Sequence, residues 1–73
     1  MDASIKYMNA RNPLEEGLLY DGTNWVRGLD KAYKFDNASL TIQKAQELQK
    51  EAPVRVFMLQ INGNNINLTE IKF

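Results

Sequence analysis

Apolar positions along this chain switch period twice, and each switch marks a new element. From Ser4 to Ala10 they alternate, with Ile5 and Tyr7 on one side and Lys6 and Met8 on the other, which is the period of a half-buried strand. Asn12-Pro13 punctuates that strand, because proline cannot join a ladder and restricts the residue before it. Leu14 to Gly17 reads as a loop or one helical turn. Leu18-Leu19-Tyr20 and Trp25-Val26-Arg27 read as short strands joined at Asp21-Gly22, two residues that tolerate positive φ. Gly28 ends the second of them. Leu29 to Phe35 then reads as a turn followed by a short extended segment, with Tyr33 and Phe35 on one face.

After Phe35 the period lengthens. Asp36 and Asn37 can each accept a hydrogen bond from an orphan amide of a first helical turn. Ala38, Ile42, Ala45, Leu48 and Ala52 follow at spacings of about three and four, with Gln43, Lys44, Glu47 and Lys50 on the other side. A helix over Ala38 to Glu51 results, stopped by Pro53. Leu40 lies off the apolar stripe, so it is expected to be exposed or to touch something other than the main sheet.

Val54 to Ile61 returns to strand. Asn62-Gly63 is a second hairpin signal, and Ile66 to Phe73 is the return strand, a short helix from Asn67 being the alternative. With Asn62 and Gly63 as the two loop residues, Leu59 faces Ile66, Phe57 faces Leu68, Arg55 faces Glu70 and Val54 faces Ile71. Such a hairpin is apolar on both sides. One face carries Val54, Val56, Met58, Ile71 and Phe73; the other carries Phe57, Leu59, Ile61, Ile66 and Leu68.

The expected architecture is one α+β domain over residues 1–73. A mainly antiparallel sheet of four to five strands carries one amphipathic helix on one face. Its core should hold Tyr20, Trp25, Phe35, Ile42, Ala45, Leu48, Val54, Val56, Met58 and Ile71. A single helix shields only one face of a small sheet. The face with Phe57, Leu59, Ile61, Ile66 and Leu68 must therefore be closed by the N-terminal third (Tyr7, Leu18, Leu19, Tyr20, Trp25) or by a second copy or another protein. These five residues are the candidate protein-binding set.

Composition narrows the chemistry. The chain has no histidine and no cysteine, which removes the usual general base near neutral pH, the commonest metal ligands and the thiol nucleophile. No disulfide can support the fold, and a domain of this size buries only roughly 60% of the surface of its unfolded chain. Nine basic and nine acidic side chains cancel, so no field steers the protein onto nucleic acid or an anionic membrane. No apolar run approaches the about 18 residues of a membrane span, and Met1 to Pro13 lacks the apolar stretch of a signal peptide. The expected compartment is the cytoplasm, where the triplets Asn37-Ala38-Ser39 and Asn67-Leu68-Thr69 are chance matches to a glycosylation site.

Candidate catalytic groups are sparse. Glu15 and Glu16 are adjacent, and Asp21, Asp30 and Asp36 fall in turns, which suits capping better than paired acid–base work. Ser4, Ser39, Thr23, Thr41 and Thr69 have no histidine base and no glycine-framed nucleophile motif. The expectation is a non-enzymatic protein with no cofactor and no metal. Trp25, Arg27, Lys31 and Tyr33 interleave aromatics with cations, a combination that stacks on bases and pairs with phosphates. They form the alternative, a nucleic-acid-binding accessory domain, although Asp21, Asp30 and Asp36 cancel the local charge.

One stretch resembles a pattern in short proteins of bacterial phages and other mobile elements. It comprises Leu19-Tyr20-Asp21-Gly22, then Trp25, then Lys31-Ala32-Tyr33-Lys34-Phe35-Asp36, and a capped helix with spaced alanines from Ala38 through Ala45. It spans less than half of the chain. The resemblance implies no catalytic residue and no cofactor; it implies an accessory protein that works by binding, as an adaptor or inhibitor. Truncating Leu48 or Val56 to alanine should lower unfolding stability by about 2–4 kcal/mol, read from the denaturation midpoint in urea.

Overall fold

The computed structural model describes residues 4–12 and 16–73, and these form an α+β fold. Five strands and one helix follow the chain as β1 (Ser4–Arg11), β2 (Leu18–Tyr20), β3 (Trp25–Arg27), α1 (Ala38–Leu48), β4 (Val54–Asn62) and β5 (Asn65–Ile71). All strand pairs are antiparallel, in the order β3-β2-β1-β4-β5. The tail is a strand, not a helix. Pro13, Leu14 and Glu15 lie outside the described residues, and with them most of the expected loop after β1.

The longest pairing is β1 with β4, eight residues from Ser4↔Ile61 to Arg11↔Val54. Paired residues share a face, so β1 divides as its alternation predicts. Tyr7 and Asn9 lie with Met58 and Val56; Lys6, Met8 and Ala10 lie with Leu59, Phe57 and Arg55.

α1 covers the first of these faces. Asn37 is its N-cap, accepting from the Leu40 amide at 3.2 Å. Asp36, the other candidate cap, instead ion-pairs with Lys6. The helix ends at Leu48, short of the expected Glu51. Pro53 forbids continuation, and the last turn tightens through Lys50 N–H to Glu47 C=O and Glu51 N–H to Leu48 C=O, at 3.3 and 3.1 Å. Ala45 packs on Val54 and Val56, with Trp25, Ile42, Leu48 and Ile71 around them. Thr41 also turns inward, its hydroxyl satisfied by the Asn37 carbonyl at 2.8 Å. Leu40 is exposed.

Two details of the hairpin β4–β5 differ from expectation. Its loop is Gly63-Asn64, closed by Asn62↔Asn65, so the pairing shifts by two residues: Val56 faces Ile71, Phe57 faces Glu70, Leu59 faces Leu68 and Ile61 faces Ile66. The cause is backbone sterics. An Asn62-Gly63 loop in the usual primed turn needs positive φ at both residues, whereas glycine in the first central position needs it only there. Gly63 sits at φ 63, and no non-glycine residue among those described has positive φ. A shift of two leaves every side chain on its expected face. The Arg55–Glu70 pair survives as a diagonal contact at 3.4 Å.

The second face is not left bare. Tyr33 N–H donates to Tyr20 C=O at 2.8 Å, and Phe35 exchanges both main-chain bonds with Tyr7 at 2.8 and 2.9 Å. The expected turn-then-extended segment is therefore docked against the sheet, with Phe35 sharing Tyr7's face. Leu29 and Lys34 come to lie beside Leu59, Ile61 and Ile66 on the opposite face. There Met8, Ala10 and Leu59 are buried, as is Ala32 of the segment itself. Tyr7, Leu18, Leu19, Tyr20 and Trp25 belong to the sheet and are not its lid. Of the expected core, Tyr20, Ala45, Val54 and Val56 are buried and Trp25, Phe35, Ile42, Leu48, Met58 and Ile71 are half-buried, while Met8, Ala10, Ala32 and Leu59 join it.

One buried group is out of balance. Asn9 faces Val56 beneath α1 and is fully buried, yet among the described residues neither Oδ1 nor Nδ2 has a hydrogen-bond partner. An unmatched amide in an apolar layer costs about 1–3 kcal/mol. Asn9→Val replaces the unmatched amide with a strand-favouring aliphatic side chain of broadly similar size, so thermal unfolding should show it more stable than the wild type by roughly that amount.

Candidate protein-binding surface

Phe57, Leu59, Ile61, Ile66 and Leu68 share one face of β4 and β5, as their alternation requires. Their accessibility differs. Leu59 is 1% exposed, a floor residue that no partner can reach directly; Phe57 and Ile61 are half-buried; Ile66 and Leu68 are 55% and 50% exposed. The segment after β3 makes this difference, because it covers the β1 side of the face and leaves the β5 side open.

Between segment and hairpin lies a cleft of about 470 Å³, lined by Leu29, Asp30, Lys34, Leu59, Ile61 and Ile66. Its walls are mostly hydrocarbon. Lys34 contributes its aliphatic stem, since its ammonium turns back to donate to the carbonyls of Leu29 and Ala32, the latter at 2.8 Å. Asp30 stands at the turn that Gly28 begins. Leu29, Asp30 and Lys34 were not candidates from the sequence. The signal available for them was the apolar spacing of Leu29 and Ala32, which fits a helical face as well as a lid.

A second cleft of about 250 Å³ opens on the helix side, lined by Tyr20, Gly22, Tyr33, Phe35 and Lys44. Tyr33 and Phe35 meet edge to face at 4.6 Å between ring centres. Tyr20 donates its hydroxyl to the Gly22 carbonyl at 2.8 Å. Lys44 bonds Glu47 at 3.0 Å, and that hydrogen bond together with the Glu47 charge holds its ammonium above the usual lysine value. The cleft's one cation is thus already matched.

Of the four candidate nucleic-acid contacts, Trp25 and Arg27 are engaged within the chain, whereas Lys31 and Tyr33 are exposed. Trp25 packs on the Ala45–Val54–Val56 core and against Tyr20 at 5.6 Å. The cation over its ring is Arg11, at 6.0 Å, not Arg27 or Lys31. Arg27 donates through Nε to the Glu16 carbonyl at 3.0 Å, Lys31 is exposed, and Tyr33 lines the second cleft.

Of the acidic residues, Asp36, Glu47 and Glu70 form ion pairs and Asp21 serves a turn. Asp21 accepts from the amides of Asn24 and Thr23 at 2.6 and 2.8 Å, and these bonds, Asn24 first, hold its carboxyl below the usual value. Among the described residues no three acidic groups gather where they could hold a metal, and no helix is long and apolar enough to cross a membrane. Comparison with protein-family models, with curated proteins and with solved structures returned no match.

Gly28 sets the cleft's outer wall. It holds φ 110, and a Cβ there would lie 2.9 Å from Asp30 Oδ1. Gly28→Ala should therefore lower the urea midpoint by an equivalent of about 1–3 kcal/mol. It should also speed hydrogen exchange at the Ala32 amide, which donates to Leu29 C=O.

Proposed function

We propose that this chain is a non-enzymatic protein-interaction module, an accessory protein acting as adaptor or inhibitor. Its working surface is the apolar cleft beside β5. One observation carries this: Ile66 and Leu68 stay half-exposed on a face whose Met8, Ala10 and Leu59 are buried, and Ile66 forms the open lip of the hydrocarbon-walled cleft. A partner seats an apolar side chain against Leu29, Ile61 and Ile66. The balanced charge of the whole chain makes that contact a matter of shape and burial, not of electrostatic steering. The resemblance of Trp25 to Ala52 to proteins of phages and mobile elements supports the same reading, with a bacterial protein as the partner.

Ile66→Asp tests it, because the side chain is exposed and its loss leaves the core alone. Immobilised wild-type protein should capture a defined bacterial partner saturably. The variant, with unchanged circular dichroism, should bind that partner at least about tenfold more weakly, as loss of one buried aliphatic contact predicts. Equal binding by both would sink the cleft as the working surface.

A further inference from the structure

We propose that β5 is a self-recognition edge, through which two copies of the chain pair antiparallel into one continuous sheet. The inference concerns the main chain of β5 and does not rest on the cleft's having a ligand.

The direction of each backbone group follows from one contact. Tyr7 gives both its N–H and its C=O to Phe35, so it turns away from β4. Tyr7 lies opposite Met58, which must then turn away from β1 and toward β5. Met58 lies opposite Thr69, so Thr69 bonds inward, and Asn65, Asn67 and Ile71 do the same by alternation. The residues between them, Ile66, Leu68 and Glu70, aim their N–H and C=O groups outward. β5 is the last strand of the sheet, so no strand receives them. Such a row of outward groups is a template for an extended strand.

Several features identify that strand as a second β5. Leu68 is the midpoint of Asn65–Ile71, so a twofold axis through it pairs the strand along its whole length. Leu68 then meets its counterpart, and Ile66 meets Glu70 on each side, giving three narrow pairs with two hydrogen bonds each. On the helix-bearing face Asn67 meets Thr69, polar against polar. The two Glu70 carboxylates stay four residues apart, about 13 Å. Each is already matched within its own chain by Arg55 and Lys72, at 3.4 and 3.3 Å. A zero net charge means the copies do not repel. β5 holds no proline and no lysine to guard it, whereas the opposite edge, β3, is three residues long and ends at Gly28. Assembly therefore closes at the dimer. A seam one strand wide falls below the about 1,200 Å² typical of stable complexes, which sets the dimer as reversible, with a dissociation constant in the micromolar to millimolar range.

Sedimentation equilibrium of the pure protein over that range should show the weight-average mass rising from 8.4 kDa toward twice that value. The amides of Ile66, Leu68 and Glu70 should gain hydrogen-exchange protection with concentration, while those of Asn67 and Thr69, already bonded to β4, should not. Leu68→Pro deletes an outward donor and no internal ladder bond, and Leu68→Lys places a charge on the seam. Both should remain monomeric, the lysine variant serving if the proline variant does not fold. A protein that stays monomeric throughout, a dimer that persists in a folded Leu68 variant, or protection appearing elsewhere would overturn the proposal. The Leu68 variants leave the cleft residues Leu29, Ile61 and Ile66 in place, so partner capture by the monomer is read separately on them.

Discussion

Two main-chain hydrogen bonds between Tyr7 and Phe35 hold the chain's middle segment to the sheet, and much of the molecule is arranged by them. They seal the gap that opens because β1 and β2 pair only at Ala10↔Leu19. They set Phe35 on the helix side and Leu29 and Lys34 beside the hairpin on the other. Asn37, two residues on, then caps α1, and Asp36 between them meets Lys6 of β1. The lid over one face and the start of the helix over the other are thus fixed from one point.

A two-sided core explains how so short a chain folds without a disulfide. β4 contributes to both layers, Val54 and Val56 under the helix and Leu59 on the opposite side. A strand buried on both faces reads as nearly continuous apolar sequence, as Val54 to Ile61 does. Against this stands Asn9, whose amide is buried without a partner in the helix–sheet layer. Small proteins rarely carry such a loss where packing alone matters.

The cleft and the free edge adjoin each other but differ in chemistry. Ile66 serves both, its side chain on the cleft lip and its main chain at the edge. In a twofold pair built on β5, the two clefts open on the same side of the joined sheet, with both helices on the other. A reversible dimer would then present two apolar clefts to one partner, and two linked contacts bind more tightly than either alone.

Much of the fold was legible because local chemistry dictated it. Alternation placed all five candidate residues of the hairpin on one face, and this held even though the register moved by two. Asn37, the stripe from Ala38 to Leu48, and Pro53 defined the helix to within a turn. What the sequence by itself determined was therefore each element and each residue's side of it, since both follow from dihedral preference and period. Tertiary structure decided which surfaces remained open. Whether Leu59 was a contact or a floor depended on where Leu29 to Phe35 docked, and that depended on the unfilled edge of β1 beside Tyr7. Trp25, expected in the core and also a base-stacking candidate, ended half-buried against Ala45, Val54 and Val56. Such outcomes turn on contacts between residues far apart in the chain, which no local pattern encodes.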